Sequence, residues 1–232
     1  MGFFRRSLPG STELPGISPG ILAGVRRDLD PETISSRDFY AVLNAVVVPR
    51  PIAWVSSRSA DGVLNLAPHS FFTVACVRPP MVQFTSVGRK DSLNNIEATR
   101  EFVVNFAAEP LFEKINATAT NFPPEVDEFA AVGLHTEPST TVAVPRVAES
   151  PVAIECQLHT TLELGDSTVV IGRVRRISID ESVLDGSHPE ITRLRPLARL
   201  GKDEWSTLGE IREITRIRHA DWPGHFTPPT AG

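Results

Sequence analysis

The sequence predicts a mainly β fold, an antiparallel barrel with a few peripheral helices. Short apolar or alternating segments separated by turn residues run through the middle of the chain. Two segments, residues 91–100 and 109–120, show helical spacing of apolar residues. Two long alternating segments, residues 152–164 and 167–180, are joined by Gly165-Asp166, which predicts a hairpin. Many strands with few short helices are typical of antiparallel barrels.

The first elements are short strands separated by turns. Asp61-Gly62 can adopt the left-handed geometry that a tight hairpin needs, and the prolines at 79–80 follow a strand that ends before them. Strands are predicted over four segments: residues 51–57, 71–77, 81–86 and 101–106.

Each predicted helix has one apolar face. Asp91 or Ser92 can cap the first helix. The apolar residues that share a face are Leu93, Ile96 and Ala98 in the first helix and Phe112, Ile115 and Ala119 in the second.

The first strand of the long hairpin has two predicted faces, because successive side chains of a strand point to opposite sides. One face carries Ile154, Cys156, Leu158 and Leu162, and the other carries Glu155, Gln157, His159 and Glu163.

The 232-residue chain suits one large domain with extensions. Proline and glycine without periodicity predict an N-terminal extension over residues 1–35 and a tail over residues 216–232, around a domain at 36–215. No apolar run is long enough for a signal peptide or a membrane span. We therefore expect a cytoplasmic protein without a membrane partner.

Composition excludes several classes of protein. The net charge of −5 does not suggest a general nucleic-acid or membrane-surface binder. Cys76 and Cys156 lie in apolar stretches without motif spacing, so we expect buried free thiols. The six histidines are not spaced like a pair of metal ligands on a helix, and no metal site is predicted.

Residues 86–96, SVGRKDSLNNI, place two cations and two hydroxyls at the start of a helix. A helix start offers free N–H groups and a partial positive charge, so Ser86, Arg89, Lys90 and Ser92 predict a phosphate site. A solvated turn capped by Asp91 or Ser92 explains the same pattern. Asp91 favours this alternative unless its side chain caps the helix and turns away.

The segment NLAPHSFF, residues 65–72, can form a second wall beside the end of the strand at Ser56 and Ser57. Pro68 frees neighbouring backbone groups from regular pairing, and those groups and Asn65 could bond the edge of a flat heteroaromatic ligand. The alternative is a β-bulge or strand crossover, with the two phenylalanines facing the core and an interface.

Three more polar residues lie among apolar ones. A buried or half-buried ion pair would explain why Glu128 or Arg199 lies among apolar residues, without any functional role. His69 could be a general acid or a pocket wall, and a hydrolytic triad has no support because no serine and aspartate partner it.

Taken together, these segments resemble the flavin reductase-like, FMN-binding split-barrel family. The resemblance covers about residues 36–205 and lies in an ordered set of motifs: RPIAWVSS, NLAPHSFF, PPMVQFTS, RKDSLNNI, EFVVN, DEF…GL, ESPVAIECQL, VVIGRV and RPLARLG. It implies a six-stranded antiparallel split barrel that binds flavin, usually FMN, near a homodimer interface.

The resemblance also implies roles for individual residues. Ser56 and Ser57 look like the strand-end residues that reach the flavin. The segment along the isoalloxazine ring corresponds to Asn65, Ala67, His69, Ser70 and Phe71. The segment that holds the ribityl phosphate corresponds to Ser86, Arg89, Lys90, Asp91 and Ser92.

Two departures from the family pattern concern function. Position 69 is His, where relatives often have an aromatic or other apolar residue, so His69 is a candidate catalytic residue. The turn Gly165-Asp166-Ser167 lacks the histidine that many dedicated flavin reductases carry there, which puts the use of a nicotinamide in doubt.

The expected function is that of an FMN-dependent oxidoreductase in which NADH or NADPH delivers hydride to the flavin. No dinucleotide fingerprint chooses between the two nucleotides. One alternative is a flavin-binding electron carrier or flavin donor to a partner protein. Another is a split barrel that binds a different phosphorylated ligand.

Overall fold

The computed structural model describes residues 26–222, and it divides between Phe39 and Tyr40 into two compact units. The described part of the first unit includes the start of a helix. There the Ser35 hydroxyl accepts the Asp38 N–H at 3.1 Å and donates to the Asp38 carboxylate at 2.7 Å, which is typical of a helix cap. The first 25 residues of the predicted extension, and the predicted tail from residue 223, lie outside the described residues.

Strands dominate the described chain. The strands are β1 Arg50–Pro51, β2 Ala53–Arg58, β3 Leu64–His69, β4 Phe72–Cys76, β5 Met81–Val87, β6 Glu101–Phe106, β7 Thr136–Glu137, β8 Arg146–Val147, β9 Val152–Leu164, β10 Ser167–Ile179, β11 Leu184–Asp185, β12 His188–Pro189, β13 Ala198–Arg199 and β14 Trp205–Ser206. The α-helices are α1 Ser36–Val46, α2 Asp91–Thr99, α3 Phe112–Ala117, α4 Glu128–Ala131 and α5 Ile191–Leu194, and short 3₁₀ turns cover Glu109–Leu111, Glu181–Val183 and His219–Asp221. No helix within residues 26–222 has the length and apolar character needed to cross a membrane.

One large antiparallel sheet organises the second unit, in the order β3-β2-β6-β9-β10-β5-β4. It has seven strands rather than the expected six, and its outer strands β3 and β4 do not pair with each other, so the sheet stays open. The extra strand is β3, which lies in the NLAPHSFF segment. Pro68 does not break it, because an edge strand has one side without ladder hydrogen bonds.

The core lies on the concave face of this sheet and is closed by α2. Alternate residues of β2, such as Ala53 and Val55, face this core, while Trp54 points to the opposite face. The buried members of the core are Ala53, Val55, Val82, Phe84, Leu93, Ile96, Phe102, Val104, Cys156, Leu158 and Val170. Cys156 is buried as expected, whereas Cys76 is only half-buried; both thiols are free.

The opposite face of β2 and β3 supports a second apolar cluster. Trp54 and Leu66 pack there with Ile115 of α3 and Phe129 of α4, and the Trp54 indole donates to the Thr118 hydroxyl at 2.9 Å. This cluster fixes the loop after α3 beside β3. The predicted helix over 109–120 is shorter than expected, because a 3₁₀ turn occupies Glu109–Leu111 and the α-helix ends at Ala117.

The predicted hairpin is confirmed as β9 and β10, joined at Gly165 with φ +61°. The expected exposure is wrong at two positions of β9, for different reasons. The pairing with β10 skips His159, so Leu162 changes sides, whereas Glu155 keeps its predicted side and is covered by residues 140–141. Leu162 is 53% exposed, and Glu155 is fully buried. The Glu155 carboxylate accepts the Thr140 N–H at 2.9 Å and the Thr141 N–H at 2.6 Å. Burial alone would raise the pKa of Glu155. The hydrogen bonds from Thr141 and Thr140 outweigh this effect and hold the pKa of Glu155 below its ordinary value.

Candidate functional site

A cleft of about 440 Å³ lies between β3, the start of α2 and the loop after α3. Ligand pockets commonly measure about 300–1,000 Å³. The lining residues are Tyr40, Asn65, Ala67, Pro68, His69, Ser70, Phe71, Thr85, Val87, Arg89, Lys90, Asp91, Ser92, Thr118, Ala119, Thr120, Asn121, Phe122, Pro124 and Glu128. The cleft therefore brings together nine of the twelve residues predicted to contact a cofactor.

The start of α2 is an uncapped helix N-terminus at one end of the cleft. Lys90 occupies the cap position without a side-chain cap bond, so neither Asp91 nor Ser92 caps the helix, contrary to the expectation. The first internal bond runs from the Asn94 N–H to the Lys90 carbonyl at 3.0 Å. The N–H groups of residues 91–93 precede it and have no acceptor within the helix. They can donate hydrogen bonds to a bound anion.

Two cations flank this helix start. Lys90 Nζ reaches across the cleft and donates to the Asn121 side chain at 3.3 Å. Arg89 pairs with Glu97 in the second turn of α2. Both cations line the cleft, but part of the Arg89 charge is already neutralised by its carboxylate partner, whereas the Lys90 ammonium bonds only a neutral amide.

His69 joins β3 to α2 through Ser92. His69 Nε2 lies 3.3 Å from Ser92 Oγ, which also accepts the Asn65 side-chain amide at 3.0 Å. The His69 ring packs against Phe84 of the core, with ring centroids 4.6 Å apart. The chain of bonds continues to Ser57 Oγ, which accepts the same Asn65 amide at 3.3 Å.

The protonation state of His69 follows from this environment. Burial lowers the pKa of His69 to about 4, with a smaller opposing effect from a hydrogen bond to the Thr85 backbone. The imidazole is therefore neutral at pH 7. His69 Nε2 bonds the Ser92 hydroxyl, and the tautomer decides which of the two groups donates. The predicted catalytic role of His69 stays a prediction.

Three predicted contact residues do not line the cleft. Ser56, Ser57 and Ser86 are fully buried. Ser56 Oγ donates to the Pro145 carbonyl at 2.8 Å, and Ser86 Oγ donates to the Gly88 carbonyl at 2.9 Å. Ser57 accepts from Asn65, as described above. Ser86 therefore supports the turn before Arg89, and Ser57 holds a cleft residue in place, while direct contacts of these three with a ligand stay predictions.

The edge of β3 presents carbonyl groups to the cleft, and it presents no free N–H groups there. The Leu66 N–H donates to the Glu128 carboxylate at 3.0 Å, which points it away from β2, and Pro68 has no N–H. In an antiparallel ladder the alternate residues, Ala67 and His69, then direct their backbone groups at β2, where they pair with Val55 and Ala53. The expectation that Pro68 frees the amides near Ala67 is wrong, because those amides remain in the ladder.

The expected ion pair of Glu128 is also not found in the described residues. Glu128 is 6% exposed and accepts a backbone N–H instead of a cation. Burial raises its pKa, and the bond from Leu66 partly offsets this effect. Arg199 lies over the Trp205 ring at 4.8 Å and donates to the Lys202 carbonyl at 2.9 Å.

The sequence reasoning missed the far wall of the cleft. This wall is the segment Thr118–Phe122 with Pro124, together with Tyr40, Thr85 and Val87. Its polar run after a helix, NATATNFPP, marks a loop. No local pattern shows that the loop crosses to Lys90, because the docking of α3 on Trp54 decides its position.

Comparison with known proteins gives one family and several similar structures. The flavin reductase like domain family matches residues 45–197. The nitrilotriacetate monooxygenase component B from Bacillus cereus has a TM-score of 0.80 at 31% identity, over 83% of this chain and 100% of that one. The 2-nitrobenzoate 2-nitroreductase NbaA from Pseudomonas fluorescens has a TM-score of 0.78 at 27% identity, over 88% of this chain and 100% of that one.

A third structure is similar in fold alone. A protein with a split barrel domain from Shewanella frigidimarina has a TM-score of 0.73 at 18% identity, over 80% of this chain and 96% of that one. The open seven-stranded sheet described above is thus an arrangement also found in a split barrel.

Proposed function

We propose that this chain, which belongs to the flavin reductase-like domain family, is an FMN-dependent oxidoreductase that uses NADH or NADPH as hydride donor. The observation that carries this proposal is the cleft, which has an uncapped helix start and a cation at one end and a strand edge at the other. The two structural relatives whose names include a monooxygenase component and a nitroreductase support a redox role.

The phosphate of FMN fits the start of α2. The free N–H groups of residues 91–93 point along the helix axis, and Lys90 adds a full positive charge beside them. The Ser92 hydroxyl is already committed to His69, so Ser92 would bind the phosphate through its backbone N–H. Asp91 also lines this end, and its carboxylate would have to turn away from the phosphate.

The flat ring of the flavin fits the other end of the cleft. The Pro68 carbonyl at the edge of β3 can accept the imide N–H of the ring system, and Phe71 offers an apolar face. Bound FMN would supply the hydride and electron chemistry. The neutral His69 adds no positive charge beside the ring, so the protein would tune the potential by hydrogen bonds and burial.

The alternative function is a flavin-binding electron carrier or flavin donor to a partner protein. The turn Gly165-Asp166-Ser167 is the observation that favours it. In the structure the Asp166 carbonyl accepts the Gly88 N–H at 2.9 Å, so this turn touches the loop before Arg89 and Lys90. It carries Ser167, which cannot take the place of the histidine expected in a dedicated reductase.

Anaerobic stopped-flow mixing of the FMN-loaded protein with NADH or NADPH separates these functions. Rapid bleaching of the flavin absorbance supports the reductase, and slow or absent bleaching supports the carrier. A protein that is colourless when purified, and that does not quench FMN fluorescence on titration, would contradict both and favour a different phosphorylated ligand.

A further inference from the structure

A second cavity of about 490 Å³ lies beside the cleft and shares three of its lining residues, Pro68, Ser70 and Ala119. These residues form the wall between the two spaces. The remaining lining residues are Ile52, Phe112, Asn116, Arg199, Asp203 and Trp205. The sequence analysis gave Arg199 no function, and the proposed flavin site leaves it unused.

Two arginines lie close together beside the second cavity, and one of them, Arg199, lines it. Arg50 and Arg199 are paired residues across β1 and β13. Burial lowers the pKa of Arg50, and the charge of Arg199 lowers it further, which reflects their proximity. Within residues 26–222, no carboxylate lies within ion-pair distance of either guanidinium.

Arg199 is the guanidinium with unused donors. Arg50 is buried and donates to the carbonyls of Asn44, Val47 and Leu200, so its donors are occupied by the protein. Arg199 makes one such bond, to the Lys202 carbonyl. A guanidinium has five N–H donors in a planar fork that matches a carboxylate. Asp203 also lines the second cavity, but it forms no ion pair with Arg199 that would occupy this fork.

Aromatic and apolar groups form the rest of the second cavity. Phe112 and Trp205 meet edge to face, with ring centroids 5.1 Å apart and an interplanar angle of 79°. Ile52 and Pro68 complete an apolar wall, and Asn116 adds an amide. This combination suits a ligand with a flat apolar body and one anionic group.

We propose that the second cavity binds a small aromatic carboxylate, whose carboxylate pairs with Arg199 and whose ring packs against Phe112 and Trp205. Such a ligand would lie beside the proposed flavin site, because Pro68, Ser70 and Ala119 line both spaces. Its binding depends on the second cavity alone and not on the proposed function.

Isothermal titration of the FMN-loaded protein with benzoate tests the proposal, with benzamide as the neutral analogue of the same shape. We expect benzoate to bind and benzamide to bind about tenfold more weakly or worse, because hydrogen bonds to charged groups contribute more than neutral ones. Arg199→Ala should weaken benzoate binding about tenfold or more, and Arg199→Lys should weaken it less. Arg173→Ala, on the exposed side of β10, is the matched control and should change nothing.

Three results would overturn the proposal. The first is that the wild type does not bind benzoate. The second is that the wild type and Arg199→Ala bind benzoate with equal affinity. The third is that Arg199→Ala loses affinity for NADH and keeps its affinity for benzoate. FMN titration of the same variants separates this test from the proposed function. We expect unchanged FMN affinity in Arg199→Ala; benzoate binding that depends on Arg199 in a protein that never binds FMN would uphold the carboxylate site and reject the flavin function.

Discussion

His69 shows how a single polar residue that lines the cleft can also hold its neighbours in place. Its ring, on β3, bonds Ser92 at the start of α2. Asn65 joins the same hydroxyl from β3. The free N–H groups at the start of α2 are therefore held at a fixed place relative to β3, and a ligand that spans both ends of the cleft needs that distance to be constant.

His69, which is half-buried beside the cleft, makes stability depend on pH. Burial lowers its pKa to about 4, whereas the imidazole of an unfolded chain has a pKa of about 6.5. Between these values the unfolded chain binds a proton that the folded chain does not, so the free energy of unfolding falls as pH is lowered through this window. The charged groups that line the same cleft are Arg89, Lys90, Asp91 and Glu128. Glu128 has a raised pKa and acts with the opposite sign.

We expect His69→Phe to reduce the difference in unfolding free energy between pH 7 and pH 5, on the order of 1–2 kcal/mol. Urea denaturation at the two pH values measures it. His159→Phe, at an exposed position of β9, is the control and should keep the wild-type difference. An unchanged pH dependence in His69→Phe would show that His69 is not the neutral group described here.

The family resemblance grouped Asn65, Ala67 and His69, but it did not show what they touch. Once β3 is known to be a strand, alternation places the three on one side of it. The contacts of Asn65 and His69 with Ser92 depend on how α2 packs on the sheet, which no local pattern encodes. The same limit explains why Ser56, Ser57 and Ser86 were expected at the ligand and are instead bonded within the protein.

At the scale of elements, β3 is an edge strand that is hydrogen-bonded to Glu128 of α4. Its Leu66 N–H is buried and finds its acceptor in the Glu128 carboxylate. Asp127 caps the same short helix by accepting the Phe129 N–H at 2.8 Å, which fixes the direction of Glu128. An edge that is occupied in this way is also protected from pairing with another strand.

Glu128→Ala should destabilise the protein by about 1–3 kcal/mol, because it leaves a buried N–H without a partner. Glu128→Gln keeps an acceptor and should cost less. Chemical denaturation gives both values, and hydrogen exchange of the Leu66 amide shows whether the loss lies at β3. Equal effects of the two substitutions, with unchanged exchange at Leu66, would argue against this role of Glu128.

Gly172 is required by close packing inside the sheet. A Cβ placed on Gly172 would lie 2.3 Å from Cζ of Phe102, a fully buried ring of the core. We expect Gly172→Ala to destabilise the protein by about 1–3 kcal/mol through overpacking. The double variant Gly172→Ala with Phe102→Leu should recover part of the loss. Wild-type stability of the single variant would contradict the packing described.

The element boundaries were largely predictable where periodicity is strong. The long hairpin and α2 follow from alternation and helical spacing, and the structure has them. Pro68 misled the prediction because the sequence does not show that β3 lies at the edge of the sheet. Glu155 misled it because a buried carboxylate looks like a surface one until its N–H partners from residues 140–141 are placed.

At the scale of the whole molecule, two groups stand out among the large apolar side chains that the second unit exposes. Leu43, Val46 and Val47 lie near the end of α1, with Val46 exposed at 68%. Val74 and Val77 lie at or just after β4, with exposures of 69% and 80%. Exposed apolar patches and an edge strand such as β4 are typical of surfaces that another chain covers. The homodimer expected from the sequence stays our proposal.

Light scattering should give twice the mass of one chain. Val46→Asp should shift the protein toward the monomer, because a charge on a covered apolar surface is costly. Leu162→Asp, at an equally apolar but distant exposed position on the hairpin, should leave the mass unchanged. A wild type that is strictly monomeric at all concentrations tested would reject the dimer.

The central claim is that the cleft holds FMN with its phosphate at the start of α2. The most direct measurement is a fluorescence titration of the protein with FMN and with riboflavin, which lacks the phosphate. We predict that FMN binds about tenfold tighter or more, and that Lys90→Ala removes about tenfold of FMN affinity while leaving riboflavin affinity unchanged. Lys114→Ala, on α3 outside the cleft lining, should behave as the wild type. Equal affinity for FMN and riboflavin, or an unaltered FMN affinity in Lys90→Ala, would contradict the account.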